Sequence, residues 1–165
     1  MSRRIALELP LVHHLARGDW PYRNVHDTDV EELAILLYAS FRGTLENEGE
    51  TFRDALAEIE KTFSGAYGRF LPECSVVIEE DEFLASACLI SWFAIHQAPL
   101  VVFSMTRPDF QRRGMARFLL QTSINTLRDR GYRRLTLVVT ERNKPALALY
   151  RALGFHRVSG VGDIP

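Results

Sequence analysis

The sequence predicts an α/β domain built on a mixed β-sheet with helices on its faces. Three patterns carry that reading: two amphipathic helical stretches between residues 28 and 63, three strand-like runs between 75 and 106, and a strand–helix–strand order from 100 to 140. A chain of 165 residues fits one domain, read as 1–165, with residues 1–22 an uncertain N-terminal extension. Folding at that size buries roughly 70% of the surface that the unfolded chain exposes, so no metal or disulfide staple is needed.

The elements follow in order. Arg4 to Leu9 reads as an edge strand that Pro10 ends. Thr28 and Glu31 have capping-box spacing, and Val30, Leu33, Ala34, Leu37 and Phe41 then form one stripe of a helix. A second helix runs from about Thr51 to Phe63, with Phe52, Leu56, Ile59 and Phe63 as its buried face, and Gly65 and Gly68 break it. Ser75 to Glu79 and Phe83 to Trp92 flank an acidic, solvated turn and make a hairpin. Leu100 to Thr106 is a third strand, too apolar to lie at an edge. Gly114 to Arg130 is a helix that Gly131 stops, and Arg134 to Thr140 alternates as a strand, so these two strands pair in parallel across a helical crossover. Asn143 caps a short helix, Pro145 sits in its first turn, Gly154 ends it, and Phe155 to Val158 begins a last strand.

Composition excludes several classes. With 47% hydrophobic and 25% charged residues the chain is an ordinary globular protein, and no apolar run approaches the roughly 20 residues that span a bilayer. The basic start Met1-Ser2-Arg3-Arg4 lacks the apolar core of a signal peptide, so the expected location is cytoplasmic, with no membrane partner. Cys74 and Cys88 sit in apolar stretches and read as buried free thiols, and the five histidines have no ligand-like spacing, so no metal is expected. A net charge of −1 argues against nucleic acid as a partner. The charge is nevertheless uneven: Asp27 to Lys61 holds ten acids and three bases, whereas Arg107 to Arg134 holds eight arginines and two acids.

The informative stretch is Arg107 to Ala116, at the join between a strand and the helix after it. The first turn of a helix presents N–H groups without internal partners, and its dipole adds about half a positive charge there, which suits a diphosphate. Gly114 and Ala116 keep the approach open, and Arg112, Arg113 and Arg117 add charge-assisted bonds. A P-loop would require Gly-Lys-Ser/Thr, and a dinucleotide fold a third glycine; neither occurs here.

At these residues the chain resembles the GNAT acyltransferase superfamily, whose pyrophosphate motif is Gln/Arg-x-x-Gly-x-Gly/Ala. Gln111-Arg112-Arg113-Gly114-Met115-Ala116 matches it throughout. Asn143 and the block Ala148 to Phe155 resemble the family's C-terminal signature, and both blocks resemble those of bacterial protein N-terminal acetyltransferases. The likeness is specific over about Val101 to Val158 and only architectural over Asp27 to Leu100. It implies a GNAT-like, centrally splayed sheet and acetyl-CoA as cosubstrate. Backbone groups of Ser104, Met105 and Thr106 would pair with the pantetheine arm, amides from Gln111 through Ala116 with Arg117 would hold the pyrophosphate, and Asn143 would bond the pantetheine side. Tyr150 would sit beside the thioester sulfur. Taken alone, Asn143 is a plain helix cap and Tyr150 a core aromatic.

The implied reaction is attack of a primary amine, from a small molecule or a peptide, on the thioester carbonyl. A backbone N–H at Met105 or Thr106 would meet the oxyanion, and Tyr150 would protonate the departing thiolate. Leu100 to Thr106 carries no carboxylate, so the general base stays open among Glu141, His96 and water, with His96 read chiefly as a surface-loop residue. Trp92, Phe93, Tyr38, Phe41 and Tyr67 are read first as core aromatics, with the lining of an acceptor cleft as the alternative. A coenzyme-A-binding module without turnover is the alternative function, and no sequence feature supports a homodimer.

Overall fold

The computed structural model describes residues 3–16, 18–42 and 48–158. Its strands are β1 (Arg4–Pro10), β2 (Arg23–Asn24), β3 (Arg69–Phe70), β4 (Val76–Glu80), β5 (Phe83–Phe93), β6 (Ala98–Thr106), β7 (Arg134–Thr140) and β8 (His156–Arg157). The helices are α1 (Val30–Phe41), α2 (Phe52–Ser64), α3 (Met115–Asp129) and α4 (Lys144–Leu153). The strands form one sheet in the order β2-β4-β5-β6-β7-β1-β8, with β3 beside β5. Among the described residues no helix is long and apolar enough to cross a membrane.

Alternation along the central strands divides the core. Val76, Ile78, Cys88 and Ile90 pack with α3 and α4, while Val77, Ala87 and Leu89 pack with α1 and α2, so the helices cover opposite faces. Cys74 and Cys88 are buried and free, as expected of small core groups. β1 ladders against β7 along its whole length, and β8 covers it at Leu7 and Glu8. It is therefore not the edge strand anticipated, and the residues read as an extension supply an inner strand.

Two local expectations change. The Thr28–Glu31 box does not start α1. Instead Asp29, buried, accepts the His26 N–H (2.8 Å) and both arms of the Arg23 guanidinium (2.8 and 2.9 Å). Burial alone would raise the Asp29 pKa, but those bonds hold it below the usual carboxylate range. On α2 the helix begins as expected, with Thr51 and Asp54 as the capping box and Gly65 as a left-handed stop; Ile59 is buried and Leu56 and Phe63 pack against the same core, joined by Ala55 and Thr62, while Phe52 is exposed.

The centre of the sheet opens. Leu89 faces Phe103 but Ile90 faces Val101, which leaves Val102 as an extra residue, a bulge in β6. β6 pairs with β7 in parallel only at Leu100–Thr136 and Val101–Leu137, and beyond the bulge the two strands part. A polar clasp holds the closed end. The Thr136 hydroxyl donates to the Pro99 carbonyl (3.2 Å) and lies 2.8 Å from His96 Nδ1, while Arg134 donates to the His96 carbonyl. His96 is thus a buried residue rather than a surface one, and burial followed by the Arg134 charge lowers its pKa.

Candidate active site

The parted strands form the floor of a cleft of about 960 Å³, lined by β6 from Val101 to Thr106, β7 from Leu137 to Thr140, Asn143 and Tyr150. Parity decides which backbone groups of β6 are open. Arg107 N–H bonds Ala85 (2.8 Å), and the Met105 carbonyl accepts from the Ser86 hydroxyl (3.1 Å), so odd residues turn toward β5. The Thr106 carbonyl turns the other way, accepting from Ser40 Oγ and Gln111 Nε2 (3.2 Å each). Ser104 and Thr106 therefore face the gap, and the main chain of Met105, expected there too, is directed at β5. The Met105 side chain is buried against α1 and α2.

At the open end of β6 the chain makes a short turn, Pro108–Phe110, and then reverses into α3. Two left-handed residues shape the reversal: Arg112 (φ 65°) and the N-cap Gly114 (φ 85°). At Gly114 the need for glycine is conformational on the protein's side, because an added Cβ would meet nothing within 4 Å. No side chain caps α3, and its first main-chain bond runs from Phe118 N–H to Gly114 (2.9 Å). The N–H groups of Met115, Ala116 and Arg117 thus point out of the helix end. Gln111 and Ala116 line the cleft itself; Arg112, Arg113, Gly114 and Arg117 are exposed just outside its lining, and the Met115 side chain is buried. Arg113 lies over the Phe110 ring (4.8 Å) and donates to the Asp109 carbonyl (3.1 Å), which ties it back on its own turn.

Asn143 does cap α4, its Oδ1 accepting from Ala146 N–H at 3.3 Å, and it also lines the cleft. Tyr150 is half-buried, edge-on to Phe155 (5.7 Å), and lines the same cleft. Both candidates for a general base lie elsewhere. His96 is in the clasp at the closed end, and Glu141 is ion-paired with Arg157 (3.9 Å); neither lines the cleft.

The second wall comes from α1 and α2. Leu37, Tyr38, Ser40, Phe41, Arg42, Ala55 and three carboxylates, Glu50, Asp54 and Glu58, line it. Of the aromatics read as core, Tyr38 and Phe41 reach the cleft, whereas Trp92, Phe93 and Tyr67 do not line it. The acids went unranked because an exposed helix face carrying them looks merely solvated. The four-residue spacing of Asp54 and Glu58, which puts them on one side of α2 with Glu50 just before its cap, is the available signal.

The unpaired groups of β6 fit an extended amide-bearing arm, and the open end of α3 fits a phosphate. Known proteins are similar to this chain in sequence and in fold. Over 101 residues, 61% of this chain, the sequence is 39% identical to a ribosomal protein bS18-alanine N-acetyltransferase from Salmonella typhimurium. That stretch covers 65% of the relative, so the chain spans a little under two thirds of its length. In fold it resembles a GCN5-related N-acetyltransferase from Sphaerobacter thermophilus, with a TM-score of 0.70, 21% identity, and 94% of this chain against 48% of that one covered. It also resembles a GNAT family acetyltransferase from Brucella melitensis solved with acetyl-CoA, with a TM-score of 0.64, 20% identity and 93% of each chain covered. The model of the Acetyltransferase (GNAT) family matches residues 30–155, which takes in α1, α2, the parted strands and the turn into α3: the chain belongs to that family.

Proposed function

We propose that this protein is a cytoplasmic N-acetyltransferase that moves an acetyl group from acetyl-CoA to a primary amine. The observation that carries the reading is the meeting, in one cleft, of β6 backbone that has no β7 partner at Ser104 and Thr106, the open N-terminus of α3, and Tyr150. The main chain of Ser104 bonds the pantetheine arm. The N–H groups from Arg112 to Arg117, with Gly114 at the bend, hold the pyrophosphate, and Arg112 and Arg117 add charge at the rim. Asn143, whose oxygen is engaged at the start of α4, offers its amide N–H₂ to the arm.

The thioester supplies the activated acetyl group. Thr106 N–H is the donor for the carbonyl oxygen as charge builds on it, since Met105 is turned to β5. Tyr150 gives its phenolic proton to the sulfur as the C–S bond breaks, and solvent returns one. With His96 and Glu141 outside the cleft, the amine's proton leaves through water. That favours an α-amine as the reacting group: with a pKa of roughly 7.7–8.0 it is about 10–15% neutral at pH 7, against about 0.04% for lysine.

Two measurements test the proposal. Acetyl-CoA titrated calorimetrically should bind, and free thiol should appear when a panel of primary amines is added. Binding without thiol release from any amine would leave the alternative, an acyl-CoA-binding module.

A further inference from the structure

Resting on that reading, we infer that Ser86 is a positioning residue for the reaction: its hydroxyl aims the Thr106 N–H at the thioester from inside the sheet. Ser86 does not line the cleft. It sits on β5 directly opposite Thr106, fully buried between Ala85 and Ala87. A hydroxyl in such a place is costly unless it is bonded, so its bonds show what it holds.

The Met105 carbonyl and the Thr106 N–H are the two ends of one planar, trans peptide unit and point in opposite directions. Fixing one fixes the other. Ser86 Oγ donates to that carbonyl at 3.1 Å. It also lies 2.8 Å from Thr106 Oγ1, and since a hydroxyl has a single proton, Thr106 is the donor in that second bond. Two hydrogen bonds in series therefore run from the Thr106 hydroxyl through Ser86 to the carbonyl. Each bond polarises the next, and charge drawn onto the carbonyl oxygen makes the N–H across the peptide a stronger donor.

The neighbouring residue that faces the gap provides a contrast. Opposite Ser104, whose main chain binds the arm rather than the reacting carbonyl, β5 carries Cys88, a buried thiol and a weak donor. The peptide after Thr106 is held by other groups: Arg107 N–H bonds Ala85, and the Thr106 carbonyl accepts from Ser40 and Gln111. Ser86 is thus the side chain that acts on the peptide whose N–H meets the growing charge.

The test combines turnover, with the fastest amine of the panel, and infrared spectroscopy of bound acetyl-CoA labelled isotopically at the thioester carbonyl. In the wild type the labelled stretch should lie below that of the free molecule, as it does for a hydrogen-bonded carbonyl. Ser86→Ala should move the band part of the way back and lower kcat about five- to tenfold, the scale of one hydrogen bond. KM for the amine and calorimetric affinity for acetyl-CoA should change little. Thr106→Val removes the first hydroxyl of the series and keeps its shape; it should shift the band the same way and lower kcat about twofold. That variant carries the test if circular dichroism shows Ser86→Ala unfolded. A wild-type band at the free position, variants with wild-type kcat, or a lower kcat with the band unmoved each overturn this inference and leave the acetyltransferase reading in place. Absence of thiol release by the wild type with the whole amine panel sinks that reading, and the inference with it.

Discussion

The two walls of the cleft work with different kinds of group. On the β6–α3 side the groups offered are main chain, aimed by a bulge at Val102, by left-handed Arg112 and Gly114, and by the unsatisfied first turn of a helix. On the α1–α2 side they are side chains, an aromatic ring, a guanidinium and carboxylates. Main-chain grips recognise what every coenzyme A molecule shares, and they vary little because any residue can supply them. Side-chain walls change with each substitution, which suits the part of the site that meets an acceptor.

That contrast can be broken or sharpened by mutation. The largest effect is expected where one side chain acts inside the main-chain half. Tyr150→Phe should lower kcat by about 10²-fold or more while calorimetric affinity for acetyl-CoA stays nearly constant. Full turnover by the variant would remove Tyr150 from the chemistry.

Next comes the footing of the side-chain wall. Asp29→Asn should cost about 2 kcal/mol of stability in urea melts, because Arg23 and the His26 N–H lose a buried carboxylate at the start of α1. The sign with pH follows from a folded-state pKa held below the unfolded value of about 3.9. The contribution is present above about pH 3.9 and is lost as pH falls through the lower folded value. Wild type should therefore lose stability relative to the variant in that acid window, and parallel curves would count against the assignment.

The main-chain grip itself gives smaller, opposite effects at two neighbouring residues. Gly114→Ala should still fold, since the new methyl meets no protein atom, but left-handed φ costs it about 1–2 kcal/mol. The turn then shifts and acetyl-CoA should bind about tenfold more weakly. Arg112→Gly removes a charge yet relieves the same kind of strain, so the melting midpoint should rise while coenzyme affinity falls by no more than about threefold. A large loss of affinity at Arg112 alongside a silent Gly114→Ala would mean that side chains, not main chain, do the gripping.

The same division explains what could be read from the sequence. The β6–α3–β7 order was legible because glycines, caps and alternation agree locally; β7 runs from Arg134 to Thr140 as its pattern indicates. The Thr28–Glu31 signal misled because Asp29, between them, takes the His26 N–H and the guanidinium of Arg23, six residues back, so a competing local box precedes the helix. Phe52, the first residue of α2, is exposed and meets Tyr38 of α1 edge-on at 6.4 Å, a tertiary contact with no local signature. His96 looked like a loop residue because nothing nearby in sequence announces Thr136, forty residues on, as its partner. The positive φ of Arg112 is likewise unwritten, since arginine has no preference for it.

One feature of the sheet has a mechanical meaning. With two rungs joining β6 to β7, the hydrogen-bonded seam of the sheet is short, and one apolar core beneath α3 and α4 holds its two sides together. The side made of β7, β1 and α4 carries Asn143 and Tyr150; the other carries the turn into α3. A coenzyme held as proposed would span both and supply the missing stitches, so its addition should raise the melting midpoint and slow exchange of the β6 and β7 amides together.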